Sequence, residues 1–164
     1  EVEQQRAEEV KREDFIKKIA PHAQLLGHSY GIFPSIILAQ ASLESDFGQS
    51  VLGKKYNNLF GVKGYGTQEK VKLETKEFVN GKWTTVHADF RVYPNWNASI
   101  DQHMQLFING VDWNPQLYAK VFEATTFQQA AEEVQNAGYA TDPGYAKKLI
   151  QMIKEYHLYR YDDR

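Results

Sequence analysis

The sequence predicts an α+β fold that is mostly helical, with one inserted β-hairpin. Three observations predict it. Apolar residues recur at helical spacing before residue 46 and again after residue 96. Between residues 70 and 93 the pattern becomes a strict alternation. An Asn80-Gly81 pair, the residues a two-residue turn with positive φ demands, stands at the centre of that stretch.

In chain order, the first fourteen residues, EVEQQRAEEVKRED, are densely charged, and a solvated helical leader is expected over residues 1–12, ahead of one domain over 13–164. From Phe15 the spacing turns core-like, through Ile16, Ile19, Leu25 and Leu26. Pro21 is expected to interrupt it and open a second short helix, since proline fits a first helical turn. Gly27 to Gly31 closes that region. Pro34 opens a helix whose Ile36, Ile37, Leu38, Ala39, Ala41 and Leu43 are apolar almost all round, so it is expected to be buried. The Asn- and Gly-rich KKYNNLFGVKGYG reads as loop.

Placing Asn80-Gly81 at the turn sets Val79 opposite Lys82, Glu77 opposite Thr84, Leu73 opposite Ala88 and Val71 opposite Phe90. The apolar residues of both strands then share one face, with Glu77 among them and Glu74 on the charged face, while Phe78 meets Trp83 on the other side. After the hairpin, Asn97 is the expected N-cap of a helix carrying Ile100, Met104, Phe107 and Ile108. Thr126 to Gln129 matches a capping box, and Gly138 suits a helix end. Asp142-Pro143 reads as an N-cap and first-turn proline before Leu149, Ile150, Ile153 and Tyr156.

Composition narrows the function. At 42% hydrophobic and 24% charged, the 164-residue chain is not disordered over its length. A formal charge of -2 argues against nucleic-acid binding by bulk electrostatics. The longest apolar run, IILAQASL, is far below the roughly 20 residues that cross a bilayer, so membrane insertion is not expected. With no cysteine there is no disulfide and no thiol nucleophile. The chain opens on Glu1, the mark of a processed or cut chain in which a signal peptide leaves no trace. Five histidines lack the HxxxH or HExxH spacing of a metal site, and no GxSxG elbow supports a serine hydrolase. Gly61, Gly64 and Gly66 resemble a phosphate loop only loosely, because no helix follows them.

What remains is carboxylate chemistry. Glu44 ends an almost wholly apolar helix, where desolvation raises a carboxyl pKa toward the range a general acid needs. Parity puts Glu77 on the apolar hairpin face. One such carboxyl on a buried helix and one overhanging from a hairpin form the kind of pair that glycoside hydrolysis uses.

Four stretches, PSIILAQASLESDFGQS, NNLFGVKG, TKEFVNGKWTTVHADFRVYPNW and AGYATDPGYAKKLI, resemble in order the glucosaminidase domain of glycoside hydrolase family 73, bacterial peptidoglycan hydrolases with a lysozyme-like core. The resemblance covers roughly residues 13 to 158. It implies Glu44 as catalytic acid, Glu77 as the second acidic residue and Tyr139 as a tyrosine beside the acid. It further implies Asn58, Phe60, Phe90 and Tyr93, with Arg91, as structural or cleft-lining positions. The implied reaction is endo-hydrolysis of the β-1,4 bond between N-acetylglucosamine and N-acetylmuramic acid in peptidoglycan glycan strands. No metal or organic cofactor is implied, and a monomer acting outside the cell at the wall is expected. The alternatives are a muramidase or lytic transglycosylase on the other glycosidic bond, or a non-catalytic wall-binding domain.

Overall fold

The computed structural model describes residues 1–163. Helix α1 (Val2–Tyr30) leads to α2 (Pro34–Ser45) and the short α3 (Val51–Tyr56), then to strands β1 (Lys70–Val79) and β2 (Lys82–Arg91). Helices α4 (Trp96–Asn109), α5 (Ala119–Glu123), α6 (Phe127–Asn136) and α7 (Tyr145–Glu155) follow, and a 3₁₀ turn at Leu158–Tyr161 closes the chain. The mostly helical architecture with one antiparallel hairpin is the one predicted.

α2 is the axis of the domain. Every residue from Pro34 to Ser42 is buried, and α1, α6, α7 and the 3₁₀ turn all pack on it. No face of this helix needs polar residues because none meets solvent until its last turn. Truncating Leu38, which is fully buried, would cost about 2–5 kcal/mol.

α1 departs from expectation. It is continuous through Pro21, so no second helix starts there. Loss of one backbone hydrogen bond is outweighed by packing on both sides of the proline, where Ile16, Ile19, Ala20 and Ala23 are all buried. The charged first half belongs to the same helix, and Arg12 folds from it onto the core, donating to the Tyr156 hydroxyl at 2.7 Å and lying 5.0 Å over the Phe47 ring. Gly31 ends the helix in the left-handed conformation, and Gly27 has no room for a Cβ, which would lie 2.7 Å from Ile32 O and from Pro34 Cγ.

The hairpin register agrees with the sequence at every pair, from Val71 opposite Phe90 to Val79 opposite Lys82. Asn80 (φ 51°) and Gly81 (φ 79°) form the positive-φ turn. Phe78 and Trp83 meet edge to face at 5.4 Å on the outward side. Burial fades from Phe90 at the base to full exposure at the tip, so the outer half relies on its own cross-strand pairs.

Two helix starts shift from the sequence reading. Asn95, not Asn97, caps α4 and accepts from the Ala98 amide; the Trp96 indole, bound to Gly53 O at 2.7 Å, anchors the first turn. Asp142 instead caps a turn ahead of α7, accepting from the Gly144 amide, and α7 starts three residues later at Tyr145. Thr126 caps α6 as expected, but Gln129 reaches back to the amide and hydroxyl of Thr125 rather than to Thr126.

Candidate active site

Glu44 stands where α2 leaves the core, one turn beyond Gln40. The helix stops immediately after it, because three successive residues turn left-handed: Asp46 (φ 50°), Phe47 (φ 56°) and Gly48 (φ 75°). For the two non-glycine residues this conformation costs about 1–2 kcal/mol each. Ser45 holds the turn, donating to Ala41 O at 2.6 Å and accepting from the Gly48 amide at 2.8 Å. The Phe47 ring is buried against Phe15 and Tyr156. A Cβ at Gly48 would fall 2.7 Å from Phe15 and 2.8 Å from Trp96. The ESDFG sequence is thus a strained helix stop that presents one carboxyl, the kind of backbone outlier that functional sites retain.

The Glu44 side chain is open to solvent on one side and held on the other. Tyr145 on α7 donates its hydroxyl proton to Glu44 Oε1 at 2.9 Å. Gln40 Nε2 donates to the same tyrosine oxygen at 3.2 Å, and His103 Nε2 on α4 lies 2.8 Å from Gln40 Oε1. Partial desolvation raises the Glu44 pKa above the ordinary glutamate value, and the Tyr145 hydrogen bond works against it. Burial pushes His103 down to about 3, so its ring is neutral. Tyr145 and Tyr139 are both pushed well up, first by burial and then by the Glu44 charge, so both keep their protons.

Tyr139 lies in an aromatic cluster, its ring 5.5 Å from His103, 5.6 Å from Tyr145 and 6.0 Å from Phe107. Its hydroxyl makes no hydrogen bond among the described residues. Phe60 stacks face to face on His103 at 4.0 Å.

Glu44 opens into a cavity of about 250 Å³ between α3 and the base of the hairpin, lined also by Leu52, Asn58, Gly61, the 73–75 stretch of β1 and Phe90. A larger hollow of about 460 Å³, walled by Lys18, Lys54 and Trp96, has no carboxyl in its lining. The desolvated, Tyr145-bound carboxyl, rather than size, selects the Glu44 cavity.

The predicted site residues divide accordingly. Glu44, Asn58 and Phe90 share the cavity, whereas Phe60 and Tyr139 lie outside its lining, Tyr139 still within reach of the Glu44 charge. Asn58 is occupied with the protein: its amide donates to Val62 O and Arg91 O and accepts from the Val62 amide, pinning the NNLFG loop to the end of β2. Tyr93 is 4% exposed and does not line the cavity. Glu77 lies on the predicted face, two residues beyond Thr75, or about 7 Å further along the strand. It does not line the cavity either, and pairs instead with Lys63 at 3.4 Å. Glu74 faces His87 across the ladder at 3.6 Å. Sequence reasoning missed Tyr145, Gln40 and His103 as companions of the acid. The signals were there in part: a glutamine on an otherwise apolar helix one turn before Glu44, and a histidine on the apolar face of α4.

A family model described as mannosyl-glycoprotein endo-beta-N-acetylglucosaminidase matches residues 20–158. The exo-glucosaminidase LytG of Bacillus subtilis is 46% identical over 149 residues, covering 91% of this chain and 53% of the relative. A probable N-acetylmuramidase of Lactococcus lactis is 40% identical over 152 residues, covering 92% of this chain and 35% of the relative. The chain thus spans about half or less of these curated relatives. Among solved structures, the catalytic domain of the Listeria monocytogenes autolysin Auto superposes with a TM-score of 0.87 at 33% identity, covering 99% of this chain and 98% of that one.

Proposed function

The chain belongs to the glucosaminidase family, and from that premise we propose that it hydrolyses the β-1,4 bond between N-acetylglucosamine and N-acetylmuramic acid in peptidoglycan glycan strands, with Glu44 as general acid. The observation that carries the proposal is the Glu44 carboxyl itself: partly desolvated, raised in pKa, gripped at Oε1 by Tyr145 and set in the wall of a cavity.

The chemistry follows from that grip. Protonated Glu44 gives its proton to the glycosidic oxygen as the C1–O bond breaks, a contribution of about 10²–10⁴-fold. The carboxylate left behind accepts the Tyr145 hydrogen bond more strongly than the acid did, so this contact favours the transition state over the ground state. Glu77 lies outside the cavity and is paired with Lys63, so a base role for it needs the hairpin to move. Attack by the substrate's own acetamido oxygen on C1 needs no such movement, and it is the route adopted here. The Tyr139 hydroxyl orients the acetamido group. Water then opens the cyclic intermediate at C1, giving its proton to the Glu44 carboxylate, and the product keeps the β configuration. A product released in the α configuration would transfer the second role to Glu77.

The proposed setting is the bacterial wall outside the membrane, with the domain working as a monomer on glycan strands. No helix of the described residues is long and apolar enough to cross a membrane.

Mass spectrometry of digested peptidoglycan tests the proposal. N-acetylglucosamine at the new reducing ends supports it. N-acetylmuramic acid there would favour the muramidase reading that the Lactococcus lactis relative's name raises, and an anhydro-muramoyl end would mean a transglycosylase. Oligosaccharides of mixed length mark internal cleavage, whereas release of single terminal units marks exo action. No release from walls would leave a binding domain.

A further inference from the structure

Behind Glu44 runs a buried chain of hydrogen bonds from three separate helices. His103 on α4, Gln40 on α2 and Tyr145 on α7 are 3%, 0% and 3% exposed. The contacts between them are 2.8 Å and 3.2 Å, and the last link to Glu44 is 2.9 Å. The donor and acceptor inventory leaves one consistent direction. Gln40 presents its NH₂ to Tyr145, so the tyrosine oxygen accepts and its single proton goes to Glu44 Oε1. Gln40 Oε1 is an acceptor, so the ring nitrogen facing it, His103 Nε2, carries the proton of that neutral ring. Every bond in the chain donates toward Glu44.

We infer that Gln40 and His103 are positioning residues that lock the Tyr145 hydroxyl as a donor to Glu44 Oε1 and so confine the transferable proton of Glu44 to Oε2. The inference rests on Glu44 being the acid. Oε2 makes no hydrogen bond among the described residues, so it is the oxygen left to meet the substrate. With Gln40 removed, the Tyr145 proton can rotate elsewhere and the acidic proton can occupy either carboxyl oxygen.

The surroundings suit a fixed chain. His103 packs against Phe60 at 4.0 Å and Phe107 at 4.6 Å, which leaves the ring little freedom to turn. The titratable groups facing the chain are Glu44 at its end, Tyr139 beside both His103 and Tyr145, and Tyr118 behind Tyr139. Both of these tyrosines are shifted upward by burial and keep their protons while Glu44 ionises.

The test uses Gln40→Met, His103→Phe and His103→Gln, assayed on a soluble glycan oligosaccharide across pH, with folding followed by near-ultraviolet circular dichroism. Gln40→Met and His103→Phe should lower kcat about tenfold with KM unchanged. Donation from Tyr145 favours the ionised carboxyl, and activity requires the protonated one. Its loss therefore moves the basic limb of the kcat profile to higher pH. His103→Gln restores an N–H near the same place and should recover most of the rate. The double variant Gln40→Met with Tyr145→Phe should be no slower than Tyr145→Phe alone, because the glutamine acts only through the tyrosine. A parental pH profile in the single variants, or additive losses in the double, would overturn the inference. If Gln40→Met fails to fold, the contrast between His103→Phe and His103→Gln reads the same quantity. An active Glu44→Gln enzyme would instead remove the assignment of the acid, a distinct result.

Discussion

Replacing Tyr145 by Phe removes one oxygen and disturbs two bonds. The ring remains, buried and 5.6 Å from Tyr139, so packing is conserved. Lost are the 2.9 Å donation to Glu44 Oε1 and the 3.2 Å acceptance from Gln40 Nε2. A hydrogen bond to a charged group is worth about 1.5–3 kcal/mol, and the partial exposure of Glu44 puts this one near the lower end. Most of that is realised only after Glu44 has given up its proton, so the loss falls on the transition state. At 1.4 kcal/mol per decade it predicts a kcat about tenfold lower with little change in KM. The Gln40 amide, fully buried, is left without its acceptor, which destabilises the fold by about 1–3 kcal/mol. Steady-state kinetics on a soluble oligosaccharide across pH, beside a urea melt, measure both effects. The basic limb of the kcat profile should move to higher pH, because the carboxylate has lost a stabilising donor. A variant with the parental rate and the parental profile would refute the reasoning, whatever its stability.

Three further outcomes follow from the same geometry. Glu77→Gln should leave turnover within a few-fold of the parent, because the acetamido route gives Glu77 no part and its carboxylate pairs with Lys63 outside the cavity; a large loss of kcat, together with product in the α configuration, would refute that route. Tyr139→Phe should lower turnover with wall binding nearly unchanged if the hydroxyl orients the acetamido group, whereas a ring that only packs would let phenylalanine substitute without loss, so the rate is measured beside a binding isotherm. Glu44→Gln should melt higher than the parent at pH 7. The raised Glu44 pKa means that the folded chain resists ionisation, a cost absent below the ordinary glutamate range and fully present above the folded pKa. The gap in melting temperature should therefore close as pH falls through that range, and a gap independent of pH would contradict it.

The hairpin was legible to the residue because two independent signals, turn chemistry at Asn80-Gly81 and the parity of Val71, Leu73 and Phe90, demand the same register. The burial of α2 was legible because no polar stripe interrupts it before Gln40. Pro21 was misleading because its cost is local, while the packing that overrides it comes from distant helices. Asn95 and Asn97 were both plausible caps, and Trp96 decided between them through a contact with Gly53 that is 43 residues away. The chain behind Glu44 was beyond reach for the same reason. Its links join residues 63, 105 and 101 positions apart, and no spacing rule in a single sequence encodes such contacts. Glu77 was placed on the right face, but how far the face reaches past the cavity depends on where α3 and the NNLFG loop close it.

The central claim is that the Glu44 proton drives bond cleavage. The most direct measurement is the turnover of purified Glu44→Gln on a soluble peptidoglycan oligosaccharide, beside its circular dichroism and its binding of the same substrate. The amide keeps the shape of the side chain and its oxygen can still accept from Tyr145, but it has no acidic proton to give. The account predicts a fall of at least about 10²-fold in kcat, with folding and binding retained. Turnover within a few-fold of the parent would contradict it.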